Sequence, residues 1–166
     1  MRVCYTVPMK WSDVVREAAA VGAGVMGGVF FCFSVLVLAA LDRLAPAQAV
    51  AAMRAINVTV MTALFMLGFV GTALLCVAVV VVAATDGFTG SVGVAVAGAV
   101  TYLIGTFGLT AAYNVPRNNR LEQYGDSSEG VEYWQTYRRE WTRANHVRTA
   151  AGIGAALLLT LAVVPT

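Results

Sequence analysis

The chain has 166 residues, of which 59% are hydrophobic and 12% charged, with a formal net charge of +2 and a mean hydropathy of +0.75. Soluble domains carry about 25% charged residues, so this composition excludes an ordinary soluble domain and is typical of a membrane protein. Because no basic stripe runs along the chain, we expect no nucleic-acid partner.

Four uncharged runs predict the fold. A helix needs about 20 apolar residues to cross the hydrocarbon core of a bilayer, and the runs lack the period-two alternation of barrel strands. The chain is therefore predicted to be all-α, a single integral membrane domain over residues 1–166 that forms a four-helix transmembrane bundle in the lipid bilayer. The predicted spans are about 18–41, 57–84, 89–113 and 147–164.

Small residues in the first run predict close helix packing. Gly24-x-x-x-Gly28 places two glycines on one face of the helix, which allows another helix backbone to approach closely. The partner can be another helix of the same chain or a second copy, so a homo-oligomer stays open.

A polar segment, 117–146, separates the third and fourth runs. Residues 117–148 hold six Arg and five acidic residues. Proline disfavours a helical conformation in the residue before it, so we expect the third helix to end or kink at 114–116. Two patterns then resemble capping boxes, Asn119-x-x-Glu122 and Asp126-x-x-Glu129. From about residue 130 the chain is predicted to run as one amphipathic helical extension into the fourth span.

This extension has one distinctive face, on which five residues fall within an arc of about 80° at 100° per residue. They are Trp134, Arg138, Trp141, Asn145 and Arg148. Large aromatics mixed with Asn and Arg are unlike an aliphatic core face. The pattern favours either an interfacial amphipathic helix or one wall of a pocket. His146 projects about 100° away from the middle of this face.

The distribution of positive charge predicts the orientation. With four spans, 42–54 and 117–148 lie on the same side and carry eight Lys and Arg residues. The positive-inside rule places that side, and with it the polar segment 117–146, in the cytoplasm. We expect the protein to lie in the cell membrane.

Polar side chains near the ends of the predicted spans are the candidate site residues, because such groups are costly in lipid unless they are partnered or functional. They are Asn57, Asn114, Asn118, Asn145, His146 and Arg148. In an antiparallel bundle these ends gather on one membrane face, so the groups can converge. Asparagines that only cap helices or bridge neighbouring helices are the alternative. One histidine and no carboxylate deep inside a span give no metal-ligand set.

Several motifs then resemble a known family. The quoted segments are Asn114-Val-Pro-Arg-Asn118-Asn119, Trp134-x-x-Tyr137-x-x-x-Trp141-Thr-Arg-Ala-Asn145-His146-Val-Arg148-Thr149, Phe31-x-Phe33-Ser34 and Ile56-Asn57. Over nearly the whole chain they resemble the anthrone oxygenase-like family of small integral membrane proteins. Arg117 departs from the aliphatic residue common in the family, and Ala144 from a frequent aromatic. Both adjoin the predicted site, so the substrate can differ.

The resemblance implies a monooxygenase that converts an anthrone into an anthraquinone, often in natural-product biosynthesis, with O₂ as co-substrate and no bound cofactor. His146 would be the general base, with a hydrogen-bonded structural histidine as the alternative. The donors to the developing oxyanion would be Asn114, Asn118, Asn145 and Arg148. The residues that hold the aromatic substrate would be Trp134, Tyr137, Trp141 and Asn57.

Two other functions stay open at this point. One is a non-catalytic membrane protein that binds a small molecule or serves as a partner for another enzyme. The other is a membrane oxidase of another small metabolite that depends on copper or iron.

Overall fold

The computed structural model describes residues 10–86 and 90–163, and every regular element in them is helical, as the all-α prediction requires. Five helices follow one another in this described part of the chain. They are α1 (Trp11–Leu41), α2 (Pro46–Thr59), α3 (Ala63–Asp86), α4 (Gly90–Tyr124) and α5 (Ser128–Leu161).

Three of the helices, α1, α3 and α4, are long and apolar enough to cross a membrane, which indicates a membrane protein. The predicted fourth span, 147–164, corresponds to the second half of α5. That half is shorter than the other three apolar runs and begins next to Asn145 and Arg148, and residues 164–166 lie outside the described part of the chain.

The apolar parts of α1, α3, α4 and α5 pack into one bundle, whose core we call the membrane cluster. It includes Ala23, Met26, Phe30, Phe69, Ala99, Tyr102 and Leu159. A Cβ added to Gly152 would lie 2.8 Å from Cα of Gly27, and one added to Gly105 would lie 2.6 Å from Cβ of Ala151. These positions hold α5 against α1 and α4 at distances that only small residues permit. An added Cβ at Gly28, by contrast, would meet no described atom within 4 Å beyond the backbone of its own helix.

A second core, the head cluster, lies at one end of this bundle. It is formed by Leu38, Leu41, Ala49, Val50, Met53, Leu121, Trp134, Tyr137 and Trp141. These residues come from α2, the ends of α1 and α4, and the start of α5. The polar segment 117–146 is thus mostly helical and packs into a head with its own core.

Ion pairs connect the helices of the head. Arg54 in α2 contacts Glu122 at 2.8 Å and Asp126 at 2.6 Å. Arg117 in α4 contacts Glu140 in α5 at 2.7 Å, and Arg138 in α5 pairs with Asp42 after α1. These ion pairs connect the end of α1 with α5, α2 with α4, and α4 with α5.

The third helix does not end at 114–116, which was one of the two outcomes expected there. The α4 helix becomes π-helical over Leu103–Gly108 and Thr110–Asn114 and resumes as α-helix over Val115–Tyr124. A proline lacks an N–H and crowds the carbonyl four residues earlier in an α-helix, and the wider π turn relieves that crowding. Asn119 consequently lies inside α4 and caps no helix.

Two other boundaries differ from prediction. The second span begins at Ala63, after a break at 60–62 where the Thr62 side chain accepts a 3.4 Å hydrogen bond from the Phe65 amide. The N-cap of α5 is Ser127, whose side chain accepts from the Gly130 amide at 3.4 Å, because Asp126 is engaged by Arg54. The predicted continuity of the extension with the apolar half of α5 is confirmed.

Candidate functional site

A cavity of about 190 Å³ lies at the junction of the membrane cluster and the head cluster. Its apolar lining consists of Phe30, Phe33, Ile56, Val60, Met61, Phe65, Met66, Phe69, Val115 and Trp141. The polar residues on its wall are Asn57, Thr110, Asn118 and Arg148. A mostly apolar cavity with a few convergent polar groups is the usual form of a small-molecule site.

Arg148 supplies the charge at this cavity. The residue is only 3% exposed, because the α5 face that carries it packs against α1 and α4. Its Nη1 donates to Oγ1 of Thr110 at 3.2 Å and its Nη2 to Oδ1 of Asn145 at 2.6 Å. The guanidinium carbon lies 4.3 Å from the Phe30 ring centroid and 4.8 Å from that of Trp141.

No described carboxylate lies within ion-pair distance of Arg148. Its Nε also has no hydrogen-bond partner in the described residues. A buried cation is costly unless it is paired, and two cation–π contacts of about 1–2 kcal/mol each offset only part of that cost. The cavity therefore presents an unneutralised positive charge in apolar surroundings, and this favours an anionic ligand.

Asn145 fixes the position of the Arg148 guanidinium. Its Nδ2 donates to the Phe30 carbonyl and to Oγ of Ser34, both at 2.7 Å, while its Oδ1 accepts from Arg148. Ser34 lies in the π-helical segment Phe33–Val37 of α1. Segments of this kind are rare and frequently mark functional sites.

Polar residues recur every four positions along α4, at Thr106, Thr110, Asn114 and Asn118, and three of them contact α5. Thr106 donates to the Arg148 carbonyl at 3.3 Å. The Asn118 Oδ1 accepts from the Tyr137 hydroxyl at 2.8 Å and from Nε1 of Trp141 at 3.0 Å. Asn118 thereby fixes the indole that forms one wall of the cavity.

The chemistry of Tyr137 follows from its burial. Burial raises the pKa of this phenol well above its usual value, since the charged form is poorly solvated there. Tyr137 therefore remains a protonated donor to Asn118 and does not act as a base at neutral pH.

Two asparagines, one buried and one half-buried, carry buried amide atoms without a hydrogen-bond partner among the described residues. Asn114 is 1% exposed, and neither its Oδ1 nor its Nδ2 has a partner in the described residues. Nδ2 of Asn57, on the cavity wall, is also unpaired. Leaving such a group unsatisfied costs about 1–3 kcal/mol. Nδ2 of Asn57 can donate to an oxygen of a ligand in the cavity, whereas the donor and acceptor of Asn114 suit an ordered water.

The aromatic rings around the cavity form two sets of ring contacts. The ring centroids of Phe33 and Trp141 are 5.7 Å apart, and Phe69 lies 6.3 Å from Phe30 and 5.9 Å from Phe65. These rings come from three helices, α1, α3 and α5. Flat apolar walls of this kind suit an aromatic ligand.

The structure brings most of the predicted site residues together. Asn57, Asn118, Trp141 and Arg148 line the cavity. Asn145 and Tyr137 do not line the cavity but contact residues that do. Asn145 accepts a hydrogen bond from Arg148, and Tyr137 donates one to Asn118. Asn114 is buried in the same polar row of α4.

Two predicted residues lie elsewhere. Trp134 stacks on Tyr137 at 5.7 Å within the head cluster and is not part of the cavity wall. His146 is exposed on the opposite side of α5, since it lies two positions, or about 200°, from Arg148. The structure therefore does not support a role for His146 at this cavity.

Several lining residues were not predicted, notably Phe30, Met61, Phe65 and Phe69. Two patterns in the sequence could have indicated further lining residues. They are the four-residue spacing of Thr and Asn along α4 and the four-residue spacing of Phe65 and Phe69. The π-helical segments have no comparable pattern in the sequence.

The groups available for a cofactor are limited in kind. Within residues 10–86 and 90–163, no three or more His, Cys, Asp or Glu side chains form a group that could hold a metal ion. The polar groups at the cavity are amides, a hydroxyl and a guanidinium, which bind oxyanions.

Fold and site together define a small helical membrane protein with a cationic, aromatic-walled cavity where its bundle meets its head. A family model described as anthrone oxygenase matches residues 65–158. The chain belongs to this family, and the match extends from Phe65 on the cavity wall through α4 to the apolar half of α5, including Arg148. Comparison with curated proteins and with solved structures finds no match.

Proposed function

We propose that this protein is a membrane oxygenase that binds a small, flat, aromatic metabolite as its enolate and allows it to react with O₂. The observation that carries the proposal is Arg148, a buried cation on the cavity wall with a free Nε and no carboxylate partner among the described residues. The aromatic walls, contributed by Phe33, Phe69 and Trp141, provide the second support.

The proposed reaction starts from a carbonyl compound whose conjugated methylene is acidic, as in an anthrone. Loss of one methylene proton gives an enolate, and its oxygen accepts hydrogen bonds from Arg148 and a neighbouring amide. The enolate carbon reduces O₂ and bonds to it, and the resulting peroxide anion takes back the proton that the methylene lost, which gives a hydroperoxide. Loss of the second C–H proton and of hydroxide from the O–O bond leaves a ketone, so CH₂ and O₂ become C=O and H₂O.

Proton removal does not need a side-chain base in this proposal. The cavity wall contains no carboxylate and no imidazole among the residues described, and His146 faces away. Arg148 instead stabilises the enolate, by about 3–4 kcal/mol if it acts as a strong oxyanion donor. Water reaching the cavity then accepts the proton. O₂ is the only co-substrate, and the chemistry proposed requires no organic cofactor.

We further propose that the second half of α5 crosses the membrane as a fourth span. Gly27 and Gly152 bring it against α1, and Gly105 and Ala151 bring it against α4, so it lies within the layer that these helices cross. The basic head then lies on the cytoplasmic side of the cell membrane. The cavity, at the junction, would receive lipophilic substrates from the bilayer past Met61, which is 65% exposed.

The test is O₂ uptake by the purified full chain in lipid nanodiscs, with an anthrone as substrate and formation of the anthraquinone as the second readout. Arg148→Gln should lower the rate by about 10²–10³-fold. Arg43→Gln is the matched control, because Arg43 is exposed on the head, and it should leave the rate unchanged.

Two outcomes would contradict the proposal. Binding of the anthrone that depends on Arg148 but gives no O₂ uptake would make the protein a binding protein. Stoichiometric copper or iron whose removal abolishes turnover would replace the mechanism with metal-dependent oxidation.

A further inference from the structure

A second surface feature lies on the side of α5 that faces away from the cavity. It is a groove of about 360 Å³ in the head, which we call the basic groove. The groove is lined by Gln135, Arg138, Arg139, Thr142, Arg143 and His146.

The charge of the basic groove is largely uncompensated. Arg138 pairs with Asp42, whereas Arg139 and Arg143 form no ion pair with any described carboxylate. The nearby Glu140 is already paired with Arg117. The groove therefore carries a net positive charge that no described residue neutralises.

The same face of α5 becomes apolar toward the C-terminus. At 100° per residue, Ile153, Leu157 and Leu161 continue the line of Arg139 and Arg143. All three are exposed, Leu157 to 60%. One continuous helix face thus changes from basic to apolar close to Val147, which is itself exposed.

We propose that the basic groove binds the phosphate of an anionic phospholipid, with an acyl chain lying along Ile153 and Leu157. Arginines bind phosphate oxygens through charge-assisted, often bidentate hydrogen bonds, and basic pockets beside membrane helices bind anionic headgroups. A zwitterionic lipid fits less well, because its ammonium group would lie against Arg139 and Arg143.

This site is separate from the cavity around Arg148. The two lie on opposite sides of α5, and no residue lines both. The inference rests on the proposed fourth span, which places the apolar half of α5 in the bilayer, and not on the enzymatic proposal. Lipid binding alone tests it.

The experiment is native mass spectrometry of the full chain in detergent with equimolar phosphatidylglycerol and phosphatidylcholine. The wild type should retain phosphatidylglycerol preferentially, and the double substitution Arg139→Gln with Arg143→Gln should lower that preference about tenfold. The control, Lys10→Gln with Arg43→Gln, removes two charges from exposed positions outside the groove and should keep the preference. Thermal unfolding without added lipid checks that each variant is folded, and Arg143→Gln alone serves if the double variant is not.

Three outcomes would overturn the inference. Equal retention of the two lipids would show that the headgroup charge is not recognised. Equal losses in the groove variant and its control would show a nonspecific charge effect, as expected if the groove serves an acidic protein or no ligand. Competition by glycerol phosphate as effective as by the lipid would show that the acyl chain is not bound.

Discussion

Nη2 of Arg148 donates a 2.6 Å hydrogen bond to Oδ1 of Asn145, which lies one helical turn earlier in α5. The amide of the same asparagine donates to the Phe30 carbonyl and to Ser34 in α1. An interhelical contact therefore sets the position of the buried cation, and the neutral asparagine leaves its charge available to a ligand.

Asn145→Asp should neutralise the positive charge of Arg148, so that it no longer attracts an anionic ligand. The new carboxylate would lie beside Nη2 of Arg148 and neutralise it, so affinity for anthracene-9-carboxylate should fall at least about tenfold, as expected for loss of a charge-assisted contact. Affinity for the uncharged 9-hydroxymethylanthracene should change little. Both dissociation constants can be measured by fluorescence titration in detergent. An equal loss for both probes would mean that Asn145 shapes the cavity and does not control its charge.

His146→Ala should leave O₂ uptake within about twofold of the wild type, because the exposed imidazole lies on the opposite face of α5 from Arg148. General bases contribute about 10²–10⁴-fold. Rates with an anthrone at several pH values measure the effect. A roughly 10²-fold lower rate of O₂ uptake at matched expression would indicate that His146 is the general base.

Asn118→Leu should destabilise the head by about 1–3 kcal/mol, because the Tyr137 hydroxyl and the Trp141 indole would lose their acceptor. Asn119→Leu is the control, since Asn119 is exposed and adjacent in α4. Near-ultraviolet circular dichroism during chemical unfolding in detergent follows the buried aromatics. Similar effects of the two substitutions would contradict the structural role of Asn118.

Met61→Trp should slow the association of a lipophilic aromatic probe delivered from vesicles, because Met61 lines the cavity at its exposed side. Leu64→Trp introduces the same ring at a residue that is 81% exposed and does not line the cavity, so it should have no effect. Stopped-flow fluorescence gives both association rates. An unchanged rate in Met61→Trp would place the access route elsewhere.

Gly152→Ala should destabilise the bundle by about 1–3 kcal/mol, because the new Cβ would lie 2.8 Å from backbone Cα of Gly27. Gly154→Ala meets no atom within 4 Å and should be neutral or stabilising by up to about 1 kcal/mol through helix propensity. Thermal unfolding in detergent compares them. Equal stability of the two variants would mean that α5 does not pack against α1 as described.

The sequence by itself determined the class of the protein and the face of α5 that carries the site. The lengths of the uncharged runs and the 3.6-residue period are local properties, so they predicted the helices and the shared face of Trp141, Asn145 and Arg148, whose burial only the structure shows. The same period already placed His146 off that face. The motif resemblance led to the family that the match over 65–158 confirms.

Only the tertiary structure decided where the cavity lies and what forms it. Phe30 and Phe69 are as hydrophobic in a filled core as beside a cavity, so their hydropathy could not distinguish the two situations. The break at 60–62 before α3, which leaves Asn57 in a helix of the head, interrupts a run that is uncharged and continuous in the sequence. The sequence shows that Arg148 is positively charged, but it does not show which side chains lie beside it. That no described carboxylate pairs with Arg148 therefore follows only from the tertiary structure.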